Sequence, residues 1–224
     1  MDFETIETAI RAAGLTPRGA FHPRAEDGVP ALASGADAAT LVLLGNAGSV
    51  PWRAFAAARR DEPDPLDRWS RRVTDALAEA LGAAPLYPFG GPPHHPFQRW
   101  ARRAEAVYPS PIGALIHPDY GLWHAYRGAL AFAERLALPA PDRRPSPCEI
   151  CADRPCLATC PVGAFSVQGY DVPACASHIA SPAGGDCMAL GCRARRACPV
   201  GRSYTYSPEQ NRFHMEAFLT ARVR

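Results

Sequence analysis

The chain has 224 residues, of which 47% are hydrophobic and 21% charged, so it carries enough apolar side chain for a globular core. Its 24 basic and 22 acidic residues leave a net charge of +2, which argues against a surface for nucleic acid or anionic membrane. The N-terminus lacks a basic start followed by an apolar run, and no apolar stretch approaches the roughly 20 residues that span a bilayer. We therefore expect a cytoplasmic protein.

The N-terminal part combines helix-like and strand-like patterns. A short helix is predicted over Phe3–Ala13 and a buried strand over Thr40–Leu44. The strongest helix pattern has Asp64 as its N-cap and Pro65 at the first helical position, and it ends at Gly82. Its apolar residues share one face, which predicts that this face is core: Leu66, Trp69, Val73, Leu77 and Leu81.

Beyond this helix the sequence patterns for secondary structure are weaker. Leu86–Phe89 is predicted to be extended, and residues 90–96 are too rich in Gly and Pro for regular structure. A helix is predicted over Phe97–Ala106, and strand-like segments follow at Ile112–Ile116 and Leu122–Phe132, the second of which also fits a helix.

A polar stretch with four prolines, residues 139–147, is typical of a linker. The predicted organisation is an α/β domain over residues 1–138, this linker, and a cysteine-rich domain with a C-terminal tail over residues 148–224.

All eight cysteines lie between residues 148 and 198. In a reducing compartment such crowding favours metal ligands over disulfides. Two close runs flank the isolated Cys175, and each run ends in Cys-Pro-Val-Gly. The first run contains Cys148, Cys151, Cys156 and Cys160, and the second contains Cys187, Cys192 and Cys198.

The bacterial two-cluster ferredoxin pattern explains this arrangement. In that pattern three closely spaced cysteines bind one four-iron four-sulfur cluster, and the next cysteine, followed by Pro, ligates the other cluster. Applied here, one cluster would be held by Cys148, Cys151, Cys156 and Cys198, and the other by Cys160, Cys175, Cys187 and Cys192. Thiolates are the soft anionic ligands that cluster iron prefers.

Zinc is the main alternative, because two four-cysteine zinc sites would also use eight thiolates and tolerate irregular spacers. The doubled Cys-Pro-Val-Gly favours clusters, since tetrahedral zinc gives no reason for the proline. A zinc-stabilised interaction module therefore stays open as an alternative to a protein that carries iron–sulfur clusters.

Several segments together resemble the epoxyqueuosine reductase family. They are the stretch Ser110-Pro-Ile-Gly-Ala-Leu-Ile-His-Pro-Asp-Tyr-Gly-Leu-Trp123, the linker, the two cysteine runs and Ala174-Cys-Ala-Ser-His178, in order over about residues 100–201. That family couples cobalamin to two iron–sulfur clusters, as reductive dehalogenases also do. Upstream, Asp64–Trp69 and Pro88–Pro92 resemble, more distantly, proteins that process cobalamin.

The resemblance implies an α+β protein: a nitroreductase-like α/β domain able to hold a corrinoid, then a ferredoxin-like two-cluster domain that supplies electrons. His117, Tyr120 and Trp123 would line the corrinoid pocket, although a Pro-Asp-Gly turn and core packing explain them too. His94 and His95 are further cofactor-binding candidates, or a solvent-exposed pair.

Three departures argue against epoxyqueuosine reduction itself. Phe89 or Gly90 stands where the family's catalytic Asp would align, and Tyr108–Gly113 replaces its Gly-Trp-Ile-Gly-Lys-Asn segment. The chain also ends at Arg224, without the helical repeats that engage transfer RNA in that family. No catalytic residue is assigned.

The sequence thus predicts an electron-transfer oxidoreductase that passes electrons through two clusters to a cofactor such as cobalamin, or to a substrate, in the N-terminal domain. Its electron donor would be a ferredoxin- or flavodoxin-type protein, or it would serve a redox enzyme partner. A non-catalytic electron carrier is the closest alternative.

Overall fold

The computed structural model describes residues 1–166 and 168–223. It is a mixed structure of helices and antiparallel strands, so the predicted α+β class is confirmed. In chain order the elements are α1 (Phe3–Ala12), β1 (Thr16–Phe21), β2 (Thr40–Ala47), α2 (Val50–Ala58), α3 (Pro65–Leu81), β3 (Ala84–Leu86), α4 (Phe97–Ala104), β4 (Tyr108–Pro109), β5 (Leu115–Ile116), β6 (His124–Phe132), α5 (Pro155–Ala158), β7 (Phe165–Ser166), β8 (Gly169–Tyr170), α6 (Val172–Ala180), α7 (Gly185–Leu190), α8 (Arg193–Ala197) and α9 (Pro208–Val223).

The chain forms two compact units. The N-terminal unit contains Met1–Ala106 and His124–Arg143, and the C-terminal unit contains Val107–Trp123 and Arg144–Arg224. Over the described residues, none of the helices combines the length and the apolar character that a membrane crossing requires.

A four-stranded antiparallel sheet forms the core of the N-terminal unit. Its strand order is β1-β2-β6-β3, so β2 and β6 are the central strands. Leu41, Val42, Leu43 and Leu44 of β2 are all fully buried, because helices and neighbouring strands cover both of its faces. This double burial explains why β2 reads as a continuous apolar run and not as an alternating one.

Helices α1, α3 and α4 of this unit follow the predicted patterns closely. Helix α3 starts at Pro65 and ends before Gly82, which has the left-handed conformation that a helix C-cap requires. On its predicted core face Trp69 and Leu77 are buried, whereas Leu66, Val73 and Leu81 are only partly buried. The extended piece predicted at Leu86–Phe89 is displaced, since strand β3 ends at Leu86 and the ring of Phe89 stacks on Tyr87 instead.

The segment Val107–Trp123 belongs to the C-terminal unit. The sequence-based division left it in the N-terminal domain, where its strand-like residues gave no sign of a distant partner. In the structure Ile116 and Leu122 are buried against Cys198, and Tyr108 and Ile112 pack on the same cluster. The predicted strand over Ile112–Ile116 is reduced to β5, which pairs with β4.

Asp27 is a buried carboxylate between strands β1 and β2, with only 2% of its surface exposed. It accepts hydrogen bonds from Nη1 of Arg103 at 2.7 and 2.6 Å and from the backbone N–H of Arg24 at 2.8 Å. We expect Asp27→Ala to lower the free energy of unfolding by about 2 kcal/mol, because the Arg103 guanidinium and the Arg24 N–H lose a buried acceptor.

Urea denaturation followed by circular dichroism would measure this loss. The control is Glu26→Ala in the same turn, because the Glu26 side chain is 68% exposed and its ion pair with Arg24 is long, at 3.7 Å. That variant should stay within about 0.5 kcal/mol of the parent. Equal losses in the two variants would contradict the role assigned to Asp27.

Candidate metal centres

The first cavity of the C-terminal unit has a volume of about 20 Å³, inside a pocket that opens to solvent. Its wall is apolar apart from a few side chains and includes Ile116, Leu122 and Val200. Three cysteines of the first run and the last cysteine of the second run line it: Cys148, Cys151, Cys156 and Cys198.

The second cavity also has a volume of about 20 Å³, inside a pocket that opens to solvent. Phe165, Ile179 and Met215 contribute apolar wall, and His178 lies among them. The other four cysteines line it: Cys160, Cys175, Cys187 and Cys192. The structure therefore brings the cysteines together in the same two groups that the ferredoxin pattern predicts, while their role as ligands stays a prediction.

Short helices divide each cysteine run between the two cavities. Cys156 lies on α5 and Cys160 follows that helix, so one helical turn joins the sites. Cys192 and Cys198 flank α8 as its N-cap and C-cap residues, which joins the sites a second time. The remaining ligand candidates of the second cavity, Cys175 and Cys187, are carried by α6 and α7.

Burial raises the pKa of five of the thiols above the ordinary value of a cysteine: Cys148, Cys156, Cys175, Cys192 and Cys198. Electrostatic repulsion between thiolates of the same cavity raises the pKa further. Cys148 is repelled by Cys198, Cys156 and Cys151, and Cys192 by Cys175 and Cys187. Four thiolates so close together are unfavourable unless bound cations neutralise them, as metal ligation does.

Hydrogen-bond donors already surround several of the sulfurs. The backbone N–H of Ala164 donates to Sγ of Cys160 at 3.3 Å. Further donors are the Val200 N–H to Cys198, the Ala194 and Arg195 N–H groups to Cys192, and the Tyr170 hydroxyl to Cys175. The bonds to Cys198, Cys192 and Cys175 each lower the pKa of the thiol, because they stabilise the thiolate. Such donors are also what tunes an iron–sulfur cluster.

Each cavity also has a polar side-chain atom that is buried and has no hydrogen-bond partner within the described residues. In the first cavity this atom is Oγ of Ser110, and in the second it is Nε2 of His178. A buried polar atom without a partner costs about 1–3 kcal/mol. Both atoms would be satisfied by a ligand with hydrogen-bonding capacity, so this observation agrees with bound groups in both cavities.

Among the residues that the structure describes, no group of three or more His, Cys, Asp or Glu side chains is placed to hold one metal ion.

The remaining predicted site residues fall in both units. His94 is exposed, and the ring of His95 stacks on Trp100 with centroids 5.4 Å apart, both in the N-terminal unit. His117, Tyr120 and Trp123 belong to the C-terminal unit. These five side chains are therefore not brought together within either unit.

Local contacts account for the three C-terminal candidates. Nδ1 of His117 accepts from the backbone N–H of Asp119 at 3.0 Å, and the His117 ring stacks on Tyr120 at 4.2 Å. Trp123 is 1% exposed and packs against Tyr206 and the guanidinium of Arg195. These contacts fit the structural interpretation of the turn and of the buried tryptophan.

Sequence reasoning did not single out Ser110, Tyr170 or His178 as site residues. Ser110 and His178 stand inside the segments that carry the family resemblance, but nothing in their spacing shows an unpartnered atom. Tyr170 precedes Cys175 by five residues, and only the folded β7–β8 hairpin, where Phe165 stacks on it at 4.8 Å, places it beside that sulfur.

A scan against models of protein families finds no match to this chain. A search of curated proteins also finds none. Among solved structures, the chain is similar to epoxyqueuosine reductase from Streptococcus thermophilus, with 15% sequence identity and a TM-score of 0.48 over 90% of this chain and 67% of that chain. This is a remote likeness, and neither the reaction nor the ligands of that enzyme follow from it here.

Proposed function

We propose that this chain is an electron-transfer protein that holds two four-iron four-sulfur clusters, one in each cysteine-lined cavity. The observation that carries the proposal is the division of eight cysteines into two groups of four, each drawn from both cysteine runs. When bound, such clusters supply one-electron transfer. The protein's own part is to provide the eight thiolates, exclude most of the water and direct N–H and O–H groups at the sulfurs.

The arrangement of the cysteines favours clusters over zinc. Tetrahedral zinc gives no reason for the proline after Cys160 and Cys198 or for the exchange of a ligand between the two runs. A cubane binds four thiolates at four different irons, and its sulfurs would accept from Ser110 and His178.

We expect electrons to arrive from a ferredoxin- or flavodoxin-type protein and to leave for a cofactor, for which cobalamin is the candidate, or for a substrate. The decisive experiment is anaerobic purification with iron, zinc and cobalt counted on one sample. About eight irons per chain and a brown absorption that bleaches with dithionite would support the proposal. Colourless protein with about two zinc ions would overturn it, and cobalt beside the iron would identify a corrinoid.

The two Cys-Pro-Val-Gly motifs allow a matched prediction. Gly201 and Gly163 both have positive φ, at 73° and 57°, so Ala costs each about 1 kcal/mol of backbone strain. A Cβ on Gly201 would also overlap the carbonyl group of Tyr120, whereas a Cβ on Gly163 meets no atom of the described residues within 4 Å. Gly201→Ala should therefore displace the loop that carries Cys198.

We expect Gly201→Ala to lose iron selectively from the first cavity and Gly163→Ala to keep nearly all of its iron. Iron analysis of anaerobically purified protein measures both. Because the two variants share the strain of positive φ, equal iron contents would show that the contact with Tyr120 does not position Cys198.

A further inference from the structure

His178 is placed beside the second cavity by its helix and by a tight backbone contact. It lies three residues after Cys175 on α6, so the two side chains share a face of that helix. The carbonyl of His178 accepts from the backbone N–H of Ser181 at 3.0 Å and from its hydroxyl at 2.7 Å. A Cβ at Gly184 would overlap the same carbonyl, so only glycine permits this close approach.

Nε2 of the His178 imidazole is a buried polar atom that finds no hydrogen-bond partner among the described residues. His178 lines the cavity together with four cysteines. Phe165 and Ile179 also line this cavity and offer no acceptor, and Met215 offers only a weakly accepting thioether sulfur. A cluster bound in this cavity would provide sulfur acceptors: its inorganic sulfides and the cysteine thiolates that ligate it.

We propose that His178 donates a hydrogen bond from Nε2 to a sulfur of the cluster in the second cavity and thereby raises the reduction potential of that cluster. This inference rests on the two-cluster function proposed above. One-electron reduction adds negative charge to the cluster, and a donor directed at sulfur stabilises the more negative form. In this role His178 adjusts the reduction potential of the cluster and exchanges no electron itself.

Three substitutions test the proposal by redox titration with electron paramagnetic resonance. His178→Leu removes the donor, and we expect the equilibrium constant for reducing one of the two clusters to fall about tenfold, which is about 59 mV for a one-electron couple. His178→Gln keeps an N–H donor and should restore part of the shift. Ser110→Ala in the first cavity is the matched control and should leave the second cluster unchanged.

The failures of the two proposals are distinguishable. Parent protein without iron would overturn the two-cluster function itself, and this inference with it. Parent and His178→Leu proteins with about eight irons each and unchanged potentials would overturn only the role of His178.

If His178→Leu does not fold or loses its iron, labelling decides the matter in the parent protein. Histidine labelled with ¹⁵N should then show a weak magnetic coupling to the reduced cluster in pulsed electron paramagnetic resonance. His178→Gln should lack that coupling, which assigns it among the histidines. Absence of the coupling in the parent protein would refute the hydrogen bond.

Discussion

Replacement of Cys160 by Ala is expected to remove about four of eight irons and to leave the other cluster intact. Cys160 belongs by sequence to the first run, yet it lines the second cavity with Cys175, Cys187 and Cys192. Three thiolates and an alanine leave one iron of the cubane without its ligand. The remaining spectrum should therefore be that of the cluster in the first cavity alone.

The crossed control is Cys198→Ala, which should remove the complementary cluster although Cys198 belongs to the second run. The two variants should differ in the potential and the resonance spectrum of the cluster that remains. If each mutation instead affects the cluster of its own run, the assignment of ligands is wrong. Cys160→Ala protein with its full iron content would be equally damaging to it.

The second large effect is expected in the N-terminal unit, where Arg18 is wholly buried. Its Nη2 donates to Oε1 of Glu105 at 2.5 Å and its Nη1 donates to the carbonyl of Asn46 at 2.9 Å. The Glu105 side chain is only 11% exposed. Arg18→Ala should lower the free energy of unfolding by about 3–5 kcal/mol, because it leaves a buried carboxylate without its counter-charge.

Two further variants separate this effect from simple loss of packing. Arg11→Ala removes an arginine that is 61% exposed, paired with Glu7 at 3.8 Å, and should change stability by less than about 0.5 kcal/mol. Arg18→Met combined with Glu105→Gln removes both charges and should recover much of the loss. Chemical denaturation measures all three, and a double variant as unstable as Arg18→Ala would exclude the electrostatic explanation.

The deficit of Arg18→Ala should also depend on pH. Burial raises the pKa of Glu105 above its ordinary value, and the Arg18 guanidinium opposes that rise. Without Arg18 the folded pKa moves higher still, so the folded state binds a proton that the unfolded state releases above about pH 4.3. Stability therefore falls as pH rises toward the folded pKa, and the deficit should be larger at pH 7 than at pH 5.

Local patterns predicted helices α1, α3 and α4 to within two residues of their bounds, whereas β1, α2 and the helices after residue 150 were not predicted. Helix α3 is bounded by Pro65 and Gly82, whose backbone preferences act within one turn and are visible in the sequence. The cysteine partition follows from a spacing rule that expresses how a short loop wraps a cluster, and the cavities group the same residues.

Features that depend on distant partners could not be predicted. Helix α2 was missed, because only Pro51 and Phe55 of its nine residues are buried and its C-terminal half is mostly alanine. Ile116 and Leu122 are apolar in any environment, and nothing local shows that they pack against Cys198, some eighty positions away. The unpartnered Nε2 of His178 is likewise a property of the folded cavity alone.

The C-terminal unit is assembled from two stretches of chain, with His124–Arg143 of the other unit between them. A fragment that begins at the proline-rich stretch would lack Ile116 and Leu122, which cover Cys198 in the apolar cluster. The cysteine-rich part is therefore not an autonomous cassette. Genetic exchange that moved the cysteine-rich part alone would separate Cys198 from the residues that shield it. We therefore expect this part to be exchanged between proteins only together with the segment that precedes strand β6.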